Sequence, residues 1–501
     1  MKFRQILISA GLTGALLLGA CNKTLEVEPL FQKDGSQIFT TLQDYEYALT
    51  GAYGLMRQVG YLGSGGQTTS TWALLPDMMA DNLVRTAEDL ANWQVQINWA
   101  YATDEDDLQV AWLAAYSVVN QANLVLRNID RFAATEETRV NRIKGQALAL
   151  RANAHFDVLR YWGENFDRNS TARGIPYVES ADFTNKPPRL SVAETWNKIF
   201  ADMEQAETLL GNVDTPVNAG SSRGAIDQDV VRALLARMHL YAKNYAQAEA
   251  YATAVIEAFP LADQATFPSI WTDASTDEVI WAVAFNAGEG SPAIGTHLAS
   301  TNRNRYRPAA AAEALYDQEN DVRHPSYFAT RLLGTTRRRI LYKYFSRTDV
   351  RQRLLDETSE TLPAQRPTGD NVVNWKISRT GEMYLIRAEA RALQTGKADL
   401  ALEDLNALRA ARIANYEPET GLAGQALVDA IATERRKELF AEGHRWFDLK
   451  RTTRTVNRGT ECGAGSAVCT LGPTAREWTW PIPQLEVDSN PALSNQQTTG
   501  F

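Results

Sequence analysis

The sequence predicts a mainly α-helical fold, in which tetratricopeptide-like helix pairs form a scaffold that carries loop-rich insertions. Three observations predict it. Apolar residues recur at helical spacing over much of the 501-residue chain, helical segments come in pairs joined by short turns, and irregular segments separate these pairs. A hydrophobic content of 44% is enough for a large packed core.

The predicted helices follow from the positions of their apolar residues. In the first of them, Leu108, Trp112 and Ala115 lie close to the i, i+4, i+7 spacing of one buried face. A later helix begins with Ser191 as its N-cap, and Glu194 follows three positions on as the capping-box partner. The helices are predicted over residues 107–128, 136–161, 192–210, 227–241, 245–259, 381–394, 398–413 and 427–442.

Two helix pairs have the small residues that allow helices to approach closely. One turns at Lys243-Asn244, continues from Ala248 and stops at Pro260, a distance that fits the tetratricopeptide pattern. Another turns at Thr395-Gly396-Lys397. Because long irregular segments separate the pairs, a simple solenoid is not expected. We predict regions 21–220 and 221–501, with both halves packed as one compact unit.

The insertions differ in composition from the helices. Residues 60–106 and 262–308 are rich in small polar residues and tryptophan, and residues 346–375 and the chain after 452 are polar or loop-like. Binding residues are commonly carried by loops that a rigid scaffold positions. We therefore expect these segments to be insertions that the helical scaffold carries.

The first 20 residues predict a cleaved export signal. Lys2 and Arg4 precede an apolar run that is too short to span a bilayer, and no stop-transfer pattern follows it. The tetrad Leu18-Gly19-Ala20-Cys21 resembles the lipobox of bacterial lipoproteins, in which the cysteine is acylated. This resemblance implies a body tethered to a membrane through lipid on Cys21. An ordinary signal peptide with a chance cysteine is the alternative.

Charge excludes two classes of partner. The chain has a formal net charge of −9, and removal of the signal with Lys2 and Arg4 makes the charge −11. An acidic body of this kind lacks the basic surface that binds nucleic acid or an anionic membrane. Neither partner is predicted.

Cys462 and Cys469 are the pair of cysteines that remains after lipidation of Cys21. They bracket a loop of six residues, and an oxidising compartment permits a disulfide between them. Two free thiols are the alternative. Zinc is a poor interpretation, because two cysteines without a nearby histidine do not supply four ligands.

The sequence contains no recognisable catalytic, metal or cofactor motif. It lacks G-x-S-x-G, H-E-x-x-H, a phosphate loop and C-x-x-C, and its histidines are isolated. The acidic run 104–107 precedes a helix, where negative charge is favourable in itself. Residues 317–321 lack the EF-hand spacing. We predict no catalytic residue, no metal and no cofactor.

Residues 434–451 form a charged helical segment that could be either a site or a structural network. Glu434, Glu438 and Glu442 recur at i, i+4 spacing, and Arg435, Arg445 and Arg451 are expected as their ion-pair partners. One interpretation is an acid–base cluster. The interpretation that we favour is a partly buried ion-pair network that fixes a helix against the scaffold.

Three spaced motifs resemble the SusD/RagB family of outer-membrane nutrient-binding lipoproteins. They are Glu434-Arg435-Arg436-x-Glu438-Leu439 with Glu442-Gly443-x-Arg445-Trp446-x-Asp448-Leu449, the late helix pair around Tyr384–Ala390 and Leu405–Arg409, and the closing run Trp480-Pro481-Ile482-Pro483-Gln484-x-Glu486 with Asn490-Pro491-x-Leu493. The chain ends in Thr499-Gly500-Phe501, a departure from the family's usual ending in detail only.

The resemblance implies a tetratricopeptide-like helical scaffold in which the loop-rich insertions form the ligand-binding half. It also implies a lipid-anchored protein of the outer membrane that faces the outside. Such proteins capture a glycan, or in some members a peptide, without cleaving it, and pass it to a SusC-like TonB-dependent transporter. The family has no fixed ligand-binding motif, so the resemblance assigns no binding residue. A hydrolase of the same uptake system is a less favoured alternative, because no credible acid–base pair is present.

Candidate ligand residues are therefore predicted from sugar chemistry. Sugar rings stack on aromatic side chains, and their hydroxyl groups bond to amide, carboxylate and guanidinium groups. Loop aromatics beside such groups are the candidates, although packing in the core is at least as good an explanation for any single tryptophan. The predicted residues are Asn82, Arg85, Trp93, Trp99, Tyr101, Asn302, Arg303, Arg305 and Tyr306.

Overall fold

The computed structural model describes residues 38–64, 70–89, 93–182, 184–211, 223–286, 289–292, 297–298, 303–333, 336–345, 373–464 and 468–501. The proposed signal, Cys21 and Asn302 lie outside these residues. Two compact units are present, Met1–Tyr45 and Glu46–Phe501. The larger unit contains most of both predicted regions. The boundary predicted near residue 220 lies outside the described residues and stays a prediction.

Helices dominate the structure, which confirms the predicted fold class. They are α1 Leu42–Leu55, α2 Leu75–Met79, α3 Gln94–Ile97, α4 Asp106–Leu126, α5 Ala133–Trp162, α6 Val192–Gly211, α7 Gln228–Tyr241, α8 Tyr245–Ala258, α9 Phe267–Ile270, α10 Ala310–Glu313, α11 Arg323–Tyr327, α12 Thr380–Ala392, α13 Ala398–Ala410, α14 Gly424–Glu438, α15 Arg445–Arg451 and α16 Gln484–Ser489.

The long helices pack in the order in which the chain presents them. Helix α4 packs on α5, α5 on α6, α6 on α7, and α7 on α8. Helix α8 then packs on α12, which also contacts α13 and α14. A core of Leu385, Leu405, Leu408, Leu427 and Ile431 fills the space between these last helices. This row of paired helices is the predicted scaffold.

The capping box predicted at the start of α6 is present. The Ser191 backbone N–H donates to Glu194 Oε2 at 2.8 Å, and the Glu194 N–H donates to Ser191 Oγ at 3.2 Å. Two N–H groups that the first turn of a helix leaves without a partner are thereby bonded. The helix therefore begins at the position that the sequence predicts.

Within the described ranges, ten short strands that the sequence analysis did not predict lie between the helices. They are β1 Leu83–Arg85, β2 Val279–Val283, β3 His297–Leu298, β4 Arg303–Asn304, β5 Tyr306–Pro308, β6 Phe328–Leu333, β7 Thr336–Leu341, β8 Trp375–Arg379, β9 Val456–Asn457 and β10 Thr470–Leu471. They form the antiparallel pairs β1–β5, β2–β8, β3–β4, β6–β7 and β9–β10. No helix of the described residues is long and apolar enough to cross a membrane.

Candidate functional site

Strands β1 and β5 bring together the two segments in which ligand residues are predicted. They pair antiparallel, with Arg85 opposite Tyr306. Next to this last pair, the Thr86 N–H donates to the Arg305 carbonyl at 2.8 Å. We call β1, β5 and the residues that contact them the junction. The two strands are more than 200 residues apart in the sequence, so no local sequence pattern indicates that they pair.

The aromatic candidates form the interior of the structure. Trp93 and Tyr306 lie with ring centroids 5.5 Å apart, and their exposed fractions are 2% and 0%. Trp99 is 5% exposed, donates from Nε1 to the Met79 carbonyl at 3.1 Å and lies under the Arg458 guanidinium. Tyr101 is also buried, beside Trp480 and Phe501.

A ring can stack on a sugar only through an exposed face, and these four rings have almost none. In this structure they pack in the core, which is the alternative that the sequence left open for each tryptophan. Direct contact of these rings with a ligand stays a prediction.

Two polar candidates are committed to internal hydrogen bonds. Asn82 donates to Asp77 Oδ1 at 2.7 Å and accepts from Arg436 Nε at 2.8 Å. Arg85 donates from Nε to Asp89 at 2.6 Å and from Nη1 to the Ala464 carbonyl at 2.6 Å. Both side chains therefore fix the protein's own backbone and neighbouring charges. Ligand contact by either residue stays a prediction.

The arginines of the second segment differ from one another in exposure. Arg305 is buried, whereas Arg303 in β4 is half-buried. Burial lowers the pKa of Arg305, and Arg303 adds to this effect while Asp89 opposes it. Of these two candidates, Arg303 reaches the surface further.

The disulfide loop is part of the junction. Cys462 and Cys469 form a disulfide, with Cα atoms 4.9 Å apart. Inside the loop, the Ala464 N–H donates to the Arg85 carbonyl at 3.0 Å. The sequence suggested the bond but contained no signal for this contact, because the loop and β1 are almost 380 residues apart.

Three further arginines surround the junction and were not among the predicted residues. Arg307 donates to Glu461 at 2.7 Å, and Arg339 donates to Glu313 at 2.9 Å. Arg338 pairs with Glu88, whose other carboxylate oxygen accepts from the Asn304 N–H at 2.8 Å. The arginine side chains are about one third exposed, at 34%, 30% and 28% for Arg307, Arg338 and Arg339. This rim of partly exposed ion pairs can form hydrogen bonds with a polyhydroxyl ligand.

The charged segment 434–451 forms a buried ion-pair network, as favoured from the sequence, but the partners differ from those expected. Glu434 pairs with Arg323 and Arg409. Glu438 pairs with Arg323, Arg379 and Arg412. Glu442 pairs with Lys343 and Arg379. The three carboxylates therefore bind cations from distant parts of the chain.

The arginines expected as partners bind other carboxylates. Arg435 pairs with Asp448 and Glu382, Arg445 pairs with Asp81, and Arg451 pairs with Glu389 and Asp448. The expected pairing was wrong because helical spacing places Glu434, Glu438 and Glu442 on one face without saying which distant elements cover that face.

The network holds its carboxylates in the charged form. Burial raises the pKa of Glu434, but Arg323, Lys437 and Arg409 outweigh burial and bring the pKa to about 2. Burial likewise opposes ionisation of Glu438, yet Arg412, Arg379 and Arg323 hold its pKa well below the usual range. A general acid needs a pKa near the working pH. These carboxylates are therefore suited to structure rather than to proton transfer.

Gly443 in the same segment is required by close packing. Its φ is +80°, and a Cβ there would lie 2.5 Å from the Trp72 carbonyl oxygen and 2.6 Å from that of Ala73. Its N–H donates to Asp77 at 2.9 Å. Only glycine fits both the left-handed backbone and the contact.

The acidic run 104–107 lies at the start of α4, as the structural interpretation expected. Asp106 and Asp107 are in its first turn, and Asp107 accepts from Gln96 at 3.2 Å. Burial, with Glu105 beside it, raises the pKa of Asp107 to about 6. Among the described residues, no three His, Cys, Asp or Glu side chains are placed to hold a metal ion.

Comparison with known proteins identifies two matching family models. The model described as "SusD family" matches residues 346–501, and the model described as "Starch-binding associating with outer membrane" matches residues 33–240. Together they cover well over half of the chain. SusD-like protein P38 of Formosa agariphila is 26% identical to this chain over 90% of the chain and 91% of the relative.

Solved structures with the same fold come from Bacteroides. A SusD-like carbohydrate binding protein from Bacteroides vulgatus has a TM-score of 0.73 and 23% identity, over 91% of this chain and 97% of that chain. Surface glycan-binding protein A from Bacteroides fluxus has a TM-score of 0.69 and 19% identity, over 92% of this chain and 100% of that chain. At these identities the likeness concerns the fold.

Proposed function

This chain belongs to the SusD family, and from that membership we propose that it binds an oligosaccharide nutrient at the outer membrane and delivers it to a partner transporter without cleaving it. The observation that carries the proposal is the pair of family matches, one of which is described as starch-binding. Two relatives of the same fold are named for carbohydrate or glycan binding. Their names support the ligand class proposed here.

We place the ligand at the exposed rim of the junction. There Arg307, Arg338 and Glu88 are partly exposed, and Arg303 lies nearby on β4. Guanidinium and carboxylate groups supply donors and acceptors for sugar hydroxyl groups. Trp93 and Tyr306 are buried against each other, and Tyr306 precedes Arg307 in β5, so we assign these two rings a positioning role in binding.

The proposed lack of cleavage is supported by the chemistry of the carboxylates in the charged segment 434–451. Hydrolysis of a glycosidic bond requires two carboxyl groups that flank the bond, one of them protonated. The carboxylates of Glu434, Glu438 and Glu442 are buried and ion-paired, so they can neither reach a glycan nor donate a proton to it. Binding followed by transfer is the function that fits these groups.

The proposed anchor gives the binding surface its location. Lipid on Cys21 would hold the body at the outer membrane, on the outer face, where a SusC-like TonB-dependent transporter could receive the ligand. Stable anchoring needs more than one acyl chain or a second membrane contact. Mass analysis of the protein from membranes tests the lipid, and co-purification of a transporter with the tagged protein tests the partner.

Binding is tested by calorimetry with maltohexaose, cellohexaose, xylohexaose and laminarihexaose, and turnover by chromatography of the same mixtures. We expect binding of at least one hexasaccharide and no shorter products. Arg307→Ala and Arg338→Ala should weaken binding at least tenfold, whereas Arg454→Ala, an exposed arginine paired with Asp429 away from the junction, should not. Absence of binding to all four sugars, or the appearance of shortened products, would contradict the proposal.

A further inference from the structure

A groove with a volume of about 690 Å³ lies along helices α6, α7 and α8 and shares no residue with the junction. Its size is within the range of small-molecule binding sites. Its walls come from the helical scaffold rather than from the insertions. The proposed site at the junction therefore leaves this groove without a role.

A ladder of parallel rings runs through the groove. The ring centroids of Trp196 and Phe200 are 5.2 Å apart, those of Phe200 and His239 are 4.2 Å apart, and those of His239 and Tyr251 are 5.5 Å apart. The interplanar angles are 14°, 12° and 6°. Trp196 and His239 are buried, while Phe200 and Tyr251 are half-exposed. Phe200 has two stacked neighbours, so Tyr251, half-exposed at the end of the ladder, supplies the ring surface for a ligand.

The ladder is uncharged at neutral pH. Burial lowers the pKa of His239 to about 4, and the positive charge of Arg168 adds to this effect. Among the groove-lining side chains, the formal charges of Arg168 and Glu204 cancel. The groove therefore favours a neutral ligand over an ionic one.

Side-chain amides line the edge of the ladder. Asn169, Asn197 and Gln247 are exposed there. Each amide supplies two donor hydrogens and a carbonyl acceptor, which suits adjacent hydroxyl groups that both donate and accept. Aromatic surface for the C–H face of a sugar and amides for its hydroxyl groups are thus present in one groove.

We propose that the groove between α6, α7 and α8 is a second oligosaccharide site, specific for neutral sugar chains. This second site rests on the proposed function for the class of its ligand, but its position is independent of the site at the junction. Sugar is favoured over an extended peptide because the groove walls are helices, which present no strand edge for main-chain pairing. A protein with both sites binds two separate short chains, or one long chain with increased avidity if it can span them.

Calorimetry with the four hexasaccharides counts the sites. We expect two binding equivalents per wild-type chain, and one equivalent for the double variant Phe200→Ala/Tyr251→Ala. Tyr47→Ala, which removes a tyrosine that is 68% exposed on α1, should retain both equivalents. Asn197→Ala/Gln247→Ala changes only exposed side chains and should weaken the second equivalent at least tenfold with an unchanged circular dichroism spectrum.

Each other outcome has a definite meaning. If the wild type binds one equivalent of hexasaccharide and the variant Phe200→Ala/Tyr251→Ala still binds it, the second site is overturned and the proposed function stands. If the wild type binds one equivalent and this variant binds none, the second site is also overturned, because the groove would then be the site that the proposed function places at the junction. Binding of a random decapeptide library at the groove, without sugar binding there, would replace it with a peptide site. Absence of any sugar binding would contradict the proposed function itself.

Discussion

Arg323 and Glu438 face each other in the interior of the protein, with Arg323 Nη1 donating to Glu438 Oε2 at 2.8 Å and both side chains fully buried. Arg323 also pairs with Asp321 and Glu434. One guanidinium therefore contacts three carboxylates at once. Its removal would leave them buried with fewer partners.

Arg323→Met is expected to lower the free energy of unfolding by about 3–5 kcal/mol, because breaking one side of a buried ion pair leaves an uncompensated charge. Urea denaturation followed by circular dichroism measures the change. The matched control is Arg454→Met, whose partner Asp429 is exposed, and its cost should be below about 1 kcal/mol. An equal loss in the free energy of unfolding for the two variants would show that the buried ion pairs stabilise the protein no more than the exposed pair does.

Acid should destabilise the protein through Glu434. Its pKa is lowered to about 2 in the folded state from a usual value of 4.5. The unfolded chain therefore binds the proton more tightly, and the stabilisation present above pH 4.5 is lost as the pH falls towards 2. Linkage makes this loss about 3 kcal/mol. Urea denaturation between pH 2 and pH 6 should show a shallower dependence for Glu434→Gln and the wild-type dependence for the exposed Glu257→Gln.

Ser191→Ala should cost about 1 kcal/mol, because it removes the hydroxyl that accepts from the Glu194 N–H. Thermal unfolding checks the value. Gln205→Ala on the exposed face of the same helix is the control, and we expect its effect to lie within about 0.5 kcal/mol of the wild type. No difference between the two variants would mean that the capping box is dispensable.

The disulfide is expected to stabilise the protein by about 2–3 kcal/mol through the short loop that it closes. The double variant Cys462→Ser/Cys469→Ser should unfold at lower urea concentration than the wild type. Reductant should bring the wild type to the same midpoint and leave the variant unchanged. Two alkylatable thiols in the untreated wild type would instead show that the bond does not form.

Trp99→Ala tests whether the predicted ligand aromatics are core residues. The ring is buried between the Met79 backbone and Arg458. We expect a loss of about 3–5 kcal/mol in the free energy of unfolding, measured by urea denaturation. Tyr47→Ala serves as the exposed aromatic control. A stable Trp99→Ala protein that fails to bind sugar would restore the ligand role.

The scaffold was predictable because helices carry their signals locally. Three examples are the buried face that begins at Leu108, the Ser191–Glu194 box and the turn at Gly396. Each is formed by residues that are only a few positions apart in the sequence. The strands carry no such signal. All residues of β2 are buried, so it shows no alternation, and its partner β8 lies about 100 residues away.

The candidate site was predictable as a set of segments but not as a set of side chains. The sequence indicated Arg85 and Tyr306 as candidates in two separate segments, and the structure pairs their strands. Whether a ring is exposed, however, depends on the residues that pack over it, and these are distant in the sequence. Arg458, for example, covers Trp99. Arg338 was missed because its position beside Glu88 depends on the β6–β7 hairpin.

The buried network has a consequence for folding, because its members are far apart in the sequence. Its members include Glu278, Arg323, Arg379, Arg412 and Glu438, so its charges are paired only after some 160 residues of chain have come together. Contacts of such long range slow folding, because loop-closure entropy is lost before the contacts form. Until then, the network's charges must stay in water. We therefore expect the helix pairs to form early and the buried network to form last.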